Sequence, residues 1–355
     1  MSSLVYVEFV GKATKLGALI TFITNSFLIY LTYFHIQKIT GAYKVTILLM
    51  AALGILFCVT ELIVRPFVHS FYHSFVYFST DNMFGLSKSV NTMLLIFYSS
   101  LYAILISFIA IQFFYRFCLI TQSKWIKIFK IHNVPLIIAY LAFHQVIWTL
   151  VSIQVLSDSF TDNHFQMELM TEYNCLATEV PGLFVVVYEP GADGIPRIRW
   201  SSVNYAGGLS FVLISQYIVI VCCGLEIKWK IDEANSNMSE TNHQIQHQLF
   251  KTLIFQILTP SVFHHIPVFA LFGTVFMDIE TRIPFGIMFA LFGFFPALDS
   301  IILMSLVSEY RETMTNGVTF LLKKLSKFQS SGAVPAGFLT RGPTTAVHSQ
   351  MVTTF

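Results

Sequence analysis

Stretches of mostly apolar residues close to the ~20 needed to carry a helix across ~30 Å of hydrocarbon recur along the chain at 16–34, 45–65, 90–117, 134–155, 203–225, 249–276 and 283–307. Polar and charged residues gather between them. The pattern predicts an all-α membrane protein, a seven-transmembrane helix bundle occupying 1–315. Pro260 and Pro267 fall inside the sixth stretch and Pro296 inside the seventh; in a bundle, neighbouring helices re-satisfy the backbone groups a proline frees. No internal repeat is visible, which argues against a solenoid or a repeat-built transporter.

Composition agrees. The chain is 55% apolar and 11% charged, against roughly 25% charged residues in a soluble domain. Its 21 basic and 19 acidic residues are too few to coat several globular surfaces. A net charge of +2 offers no concentrated basic stripe, so no nucleic-acid partner is expected. Five Cys do not make a disulfide framework.

Lys and Arg near span ends mark the cytoplasmic side. Fourteen of them fall in loops 35–44, 116–133 and 226–251 and the tail from 308, and seven in the N-terminus and loops 65–89, 156–202 and 277–282. The N-terminus is therefore expected outside. The first fifteen residues lack a signal-peptide core, so the first span reads as an uncleaved anchor. In loop 156–202, apolar runs Phe184–Tyr188 and Ile195–Trp200 flank the turn-forming Glu189–Gly194, which predicts a β-hairpin lid. Inside, Val318, Leu321, Leu322, Leu325 and Phe328 recur at helical spacing opposite Lys323, Lys324 and Lys327. Segment 316–328 is expected to be an amphipathic helix on the lipid surface, and 329–355 a disordered Ser/Thr-rich tail.

No phosphate-binding glycine loop, HExxH, GxSxG or CxxC occurs, so neither an enzyme nor a cofactor is expected. His243 and His247 lie i,i+4 without a third ligand beside them, and no metal is assigned. Intramembrane charge reduces to Glu61, Arg65, Arg116 and Asp299, each a functional candidate because burying it is costly. Glu61 and Arg65, also i,i+4, are expected to pair on one helix face. Stretches 90–115, 203–225 and 252–276 contain no Asp, Glu, Lys or Arg, so a ligand in the outer half of the bundle is expected to be small and uncharged. Helix-depth arithmetic points to Asn91, Tyr98, Tyr102, Gln216, His264 and His265 as ligand contacts, with Phe285 and Phe289 as walls. A channel or transporter is the competing class; it would show pseudo-symmetry or a trail of ionisable groups, and neither is visible.

Several short motifs occur in order: Gly41-Ala-Tyr-Lys44, Gln112-Phe-Phe-Tyr-Arg-Phe117, the run from Gln248 to Gln256 with Pro260 and Pro267, and Phe295-Pro-Ala-Leu-Asp-Ser300 followed by Glu309-Tyr-Arg311. Over roughly 16–315 the chain resembles the nematode Str-type serpentine chemoreceptors. The resemblance implies a G-protein-coupled receptor in the plasma membrane of a chemosensory neuron, placed in its sensory cilium, that detects a small odorant-like molecule and activates a heterotrimeric G protein. Tyr115 and Arg116 would stand where other such receptors carry an acid-Arg-Tyr lock. Lys124 and Lys127 would face the G protein, and Pro260, Pro296 and Asp299 would serve the switch. The family's Asp-Pro is here Asp299-Ser300, and Cys175 has no Cys at the top of the third span to bridge to. The tail hydroxyls and the terminal Thr353-Thr354-Phe355 suit phosphorylation and a PDZ or trafficking partner.

Overall fold

A helix that is apolar on every side must be surrounded by others, and residues 88–120 become the axle of a bundle. The computed structural model describes residues 3–37, 39, 41–79, 84–191, 193–233, 240–277, 279, 285–286 and 291–331. Its elements are α1 (Ser3–Phe34), α2 (Gly41–Val64), β1 (Pro66–Phe71), β2 (Ser74–Ser79), α3 (Lys88–Ile120), α4 (Val134–Ile153), α5 (Ser159–Tyr173), β3 (Gly182–Val186), β4 (Tyr188–Pro190) and β5 (Pro196–Ile198). There follow α6 (Trp200–Glu233), α7 (Glu240–Pro260), a π-helical turn (Ser261–His265), α8 (Ile266–Phe276), α9 (Phe295–Leu306) and α10 (Ser308–Ser331). Among the described residues six passages are long and apolar enough to span: α1, α2, α3, α4, α6 and the α7–α8 run. The shorter α9 belongs to the seventh stretch. In the apolar window of α3, 78% is buried, against 17% for that of α4; α3 packs on α2, α4, α6 and α7 while α4 lies at the periphery.

Several expected boundaries move, each for a physical reason. The first helix starts at Ser3 rather than 16, because Val10 is buried in the lid's core and Tyr6 packs edge-on against Phe67 at 5.9 Å. α6 runs on to Glu233, past 225. α2 stops at Val64, and Arg65 turns out of the helix with φ 48°. The expected Glu61–Arg65 pair is not made: Arg65 leaves the helical conformation while Glu61 lies fully buried, and neither Glu61 carboxyl oxygen has a hydrogen-bond partner among the described residues.

Proline disrupts the sixth span more deeply than a kink would. Pro260 cannot donate to the i−4 carbonyl, and Pro267 sits in the first turn of α8, so two donors are missing within eight residues. The backbone widens into the π turn between them, a common response at functional sites. In the seventh span Pro296 does not bend a continuous helix. The chain turns at Gly293–Phe294, and Pro296 falls in the first turn of α9, where its missing N–H costs nothing.

One end of the bundle is closed by a lid larger than the expected hairpin. β1 and β2 form a hairpin with the two-residue loop Tyr72-His73, and β3 adds to β2, all antiparallel, in the order β1-β2-β3. The expected 184–200 hairpin survives only as the short β4–β5 pair, because Phe184 and its neighbours pair with β2 instead. β2 is buried on both faces. Phe75 and Tyr77 point into the bundle core, whereas Val76 and Phe78 join Phe165, Leu169 and Tyr173 of α5. That helix is a lid element missing from the sequence reading; a reciprocal capping box between Asp158 and Thr161 starts it, and Asn174 at φ 55° ends it. Arg199 bonds Asp158 at 2.7 Å and lies 5.2 Å over the Phe160 ring, tying the segment after β5 to the start of α5.

The lid is rich in histidine. His69 bridges Glu168 at 2.9 Å and Tyr173 at 2.8 Å, and His164 bonds Ser74 at 2.9 Å. Burial, followed by the charges of His73 and Arg199, holds the His164 imidazole below its ordinary value near 6.5. The unfolded lid then binds the proton more readily than the folded one. Lid stability should hold above pH ~6.5 and fall as pH drops through that value toward the lower folded one. Amide exchange across β2 and β3 should accelerate between pH 7 and pH 5 after correction for intrinsic rates, and His164→Gln should remove that part of the acceleration.

At the opposite, far end lies loop 121–133. The chain divides into two units at Arg311. In the second unit the expected 316–328 helix is instead part of a longer one, α10, on which Val318, Phe320, Leu321 and Leu322 are exposed. The expectations for the tail beyond Ser331, like that for Phe289, fall outside the described residues.

Candidate functional site

Tyr98 and Tyr102 are one helical turn apart on α3, so both meet the same space. That space is a cavity of about 70 Å³ beneath β2. Aromatic side chains dominate it: Phe57 of α2, Phe75 and Tyr77 of the lid, Trp148 of α4, Tyr205 of α6 and Phe272 of α8 share the wall with Tyr98, Tyr102, His264 and Phe292. Among the described residues, no Asp, Glu, Lys or Arg lines it. An apolar cavity of ~150 Å³ takes up benzene; this one admits a ligand of a few heavy atoms, or a larger one after rings rotate.

The π turn brings both adjacent histidines inward. His264 stacks on Tyr102 with centroids 3.7 Å apart and touches the Phe292 ring at 4.0 Å; its Nδ1 has no hydrogen-bond partner among the described residues. His265 lies behind the wall, with Nε2 2.6 Å from the Tyr102 hydroxyl and Nδ1 2.7 Å from that of Tyr217. The direction of this chain follows from its far end. Ser261 donates to the Ile257 carbonyl at 2.6 Å, so it accepts from Tyr217. Tyr217 must then accept from His265 Nδ1–H, which leaves Nε2 to accept from Tyr102. One directed chain thus runs from the cavity wall on α3 to His265 of the π turn, across to Tyr217 of α6, and back to Ser261 of the same turn.

Of the ligand contacts expected from sequence, Tyr98, Tyr102 and His264 line this cavity. Asn91 lies at the start of α3, where its amide donates to the Leu86 carbonyl at 3.4 Å. Gln216 accepts from Tyr140 at 2.5 Å, a packing role between α4 and α6. Phe285 is buried in the core outside the lining. Trp148, Tyr205 and the lid's Phe75 and Tyr77 escaped the sequence reading: nothing in an aromatic-rich span distinguishes a wall residue from a core residue, and the two lid residues lie in a loop not recognised as sheet.

Glu61 stands just behind the wall. It is fully buried, with the Tyr98 hydroxyl beside it. A β-carbon at Gly293 would sit 2.5 Å from its Oε2, so only glycine lets the seventh span approach the carboxyl. Further along, Asn25 of α1 donates to the Pro296 carbonyl at 3.2 Å and accepts from Ser300 at 2.8 Å. The serine at the position of the family's proline therefore joins α1 to α9.

At the far end Arg116 is buried. It donates to Gln246 of α7 at 3.0 Å and lies 4.4 Å over the Tyr43 ring, while Nε and Nη2 lack partners among the described residues. Tyr115 stacks on Tyr43 at 6.2 Å and meets Phe129 edge-on at 4.8 Å. Asp299 is buried in α9 near Gln256 of α7. Lys124 and Lys127 are exposed on the loop after α3. Cys175 is a free thiol whose Sγ contacts the Tyr173 carbonyl at 3.3 Å.

Residues 11–315 match the family model "Serpentine type 7TM GPCR chemoreceptor Str". The chain is 36% identical over 297 residues to the G-protein coupled receptor str-33 of Caenorhabditis elegans, covering 82% of this chain and 86% of that one. It is 24% identical over 345 residues to the serpentine receptor class r-10 of the same nematode, covering 97% and 100% respectively. The crystal structure of squid rhodopsin superposes with a TM-score of 0.52 at 13% identity, covering 99% of this chain and 93% of that one, which establishes the shared seven-helix fold. The chain is therefore a multi-pass membrane receptor and not an enzyme, and it belongs to the Str family of serpentine seven-transmembrane G-protein-coupled chemoreceptors.

Proposed function

We propose that the receptor binds a small, uncharged, odorant-like molecule in the cavity beneath the lid and activates a heterotrimeric G protein at the far end. The observation that carries this reading is the directed chain from Tyr102 to Ser261. One end of it forms the cavity wall, and His265 and Ser261 of the chain lie in the π turn on which α7 and α8 hinge. A ligand that displaces the Tyr102 ring changes the bonds holding the turn, and α7 swings about Pro260. The Arg116–Gln246 bond spans the opening this movement would make, and Lys124 and Lys127 border it. The described lining carries no charge, which supports an uncharged ligand, since an ion would meet no counter-charge among these residues.

The basic residues of the far-end loops favour the N-terminus and lid outside. In the same reading the receptor acts in the sensory cilium, segment 316–328 lies on the membrane surface, and the tail from 329 is a phosphorylation and PDZ-type docking segment.

The test is nucleotide exchange on a reconstituted G protein, driven by a panel of small neutral and charged organics. Neutral compounds should stimulate exchange, and Tyr102→Ala should remove the response at normal surface expression. A response confined to charged amines and abolished by Glu61→Gln would overturn the neutral-ligand reading.

A further inference from the structure

A second cavity, unconnected with the aromatic one, opens on the side of the bundle near the far end. It has a volume of about 310 Å³, and its lining comes from α3 (Ala110, Ile111, Phe114), the loop after it (Ile128, Phe129), α4 (Leu136, Ile137, Tyr140) and α6 (Val219). That is about twice the ~150 Å³ apolar cavity that holds benzene. Its one hydroxyl, on Tyr140, is already donated to Gln216, so the cleft offers an occupant apolar contact alone. Leu136 is 60% exposed at its mouth, on the peripheral helix α4, where the surroundings are acyl chains.

The loop supplies the other half of a site. Ile128 and Phe129 wall the cleft, and the same loop carries Lys124, Lys127 and Lys130, all exposed. Trp125, 63% exposed in the same loop, is a residue type that settles at headgroup depth. We infer that the cleft holds an acyl chain of an anionic phospholipid whose phosphate is met by Lys127 and Lys130. The apolar cleft selects a hydrocarbon tail, and three cations within seven residues select a negative headgroup over a zwitterionic one. A sterol would fill the cleft but leave the lysines unmatched.

The occupant would also touch the switch. Phe129 is at once a wall of the cleft and the ring that meets Tyr115 edge-on, and Tyr115 precedes the buried Arg116. A tail in the cleft holds Phe129 against Tyr115, so lipid composition biases the far end of α3.

The receptor can be tested in nanodiscs of phosphatidylcholine doped with a phosphatidylserine carrying a diazirine at the end of one acyl chain. Cross-links should concentrate on peptides containing 110–114, 128–140 and 219, and unlabelled phosphatidylserine should compete better than phosphatidylcholine. Lys127→Gln and Lys130→Gln should each weaken phosphatidylserine competition about fivefold, and Val219→Trp, which fills the cleft, should abolish labelling there. Labelling spread evenly around the bundle, equal competition by the two lipids, or competition by cholesterol alone would overturn the inference, and the wild-type map decides even if the tryptophan variant does not fold. Nanodiscs expose both leaflets and the readout needs neither odorant nor G protein, so this outcome is independent of the signalling reading and of the orientation.

Discussion

Replacing His265 with leucine should cost the folded receptor about 1–3 kcal/mol, because the buried Tyr102 phenol loses its acceptor, while the half-buried Tyr217 hydroxyl keeps Ser261. The imidazole accepts one hydrogen bond and donates the other, and no aliphatic side chain does either. Denaturation midpoints in detergent would register the loss. Tyr102→Phe removes the stranded hydroxyl in advance, so the double variant Tyr102→Phe/His265→Leu should be less destabilised than the sum of the singles. Additive losses would show that the chain across the π turn contributes nothing as a unit.

The second large effect is expected at the far end and has the opposite functional sign. Gln246→Ala should raise basal nucleotide exchange on the G protein by about tenfold or more. A hydrogen bond to a charged group contributes ~1.5–3 kcal/mol, and this one joins α3 to α7 across the gap that the proposed swing of α7 would open. Arg116 stays buried after the substitution, and with the glutamine gone it is better hydrated when α7 moves away, which favours the open arrangement further. Exchange measured without ligand, at matched receptor density, reads the effect directly; unchanged basal exchange would remove Gln246 from the latch. Arg116→Ala differs, since it takes away both the latch and a cation available to the G protein, and it should lower ligand-driven exchange.

The seven-span architecture was legible because the bilayer leaves so little choice. Each crossing demands the same length of apolar chain, and α2, α3 and α4 begin and end within a few residues of the positions that hydropathy suggests. The lid was not legible, for reasons of local chemistry. Its hairpin turns at Tyr72-His73 with Tyr72 at φ 50°, where the usual signal would be Asn-Gly. β2 is apolar on both faces and so shows no alternation. Glu61 and Arg65 looked like a pair while the helix was assumed to continue, and it ends at Val64. Within the site, Tyr98 and Tyr102 were found by their shared helix face. Gln216 was favoured for its polarity, which the structure shows engaged by Tyr140, and Trp148 and Tyr205 looked like their many aromatic neighbours.

The two-sided burial of β2 has a consequence for how such a receptor can change over generations. Alternate residues of that one strand answer to different constraints. Val76 and Phe78 are held by α5 and the core of the lid, so replacing them disturbs folding whatever the ligand. Phe75 and Tyr77 form the ceiling of the cavity, where a change of ring or chain alters the shape offered to a ligand and leaves the packing of the lid on α5 in place. A lineage exploring new chemicals therefore has two positions open to it in a segment of six residues, interleaved with two that hold the lid in place while it does so.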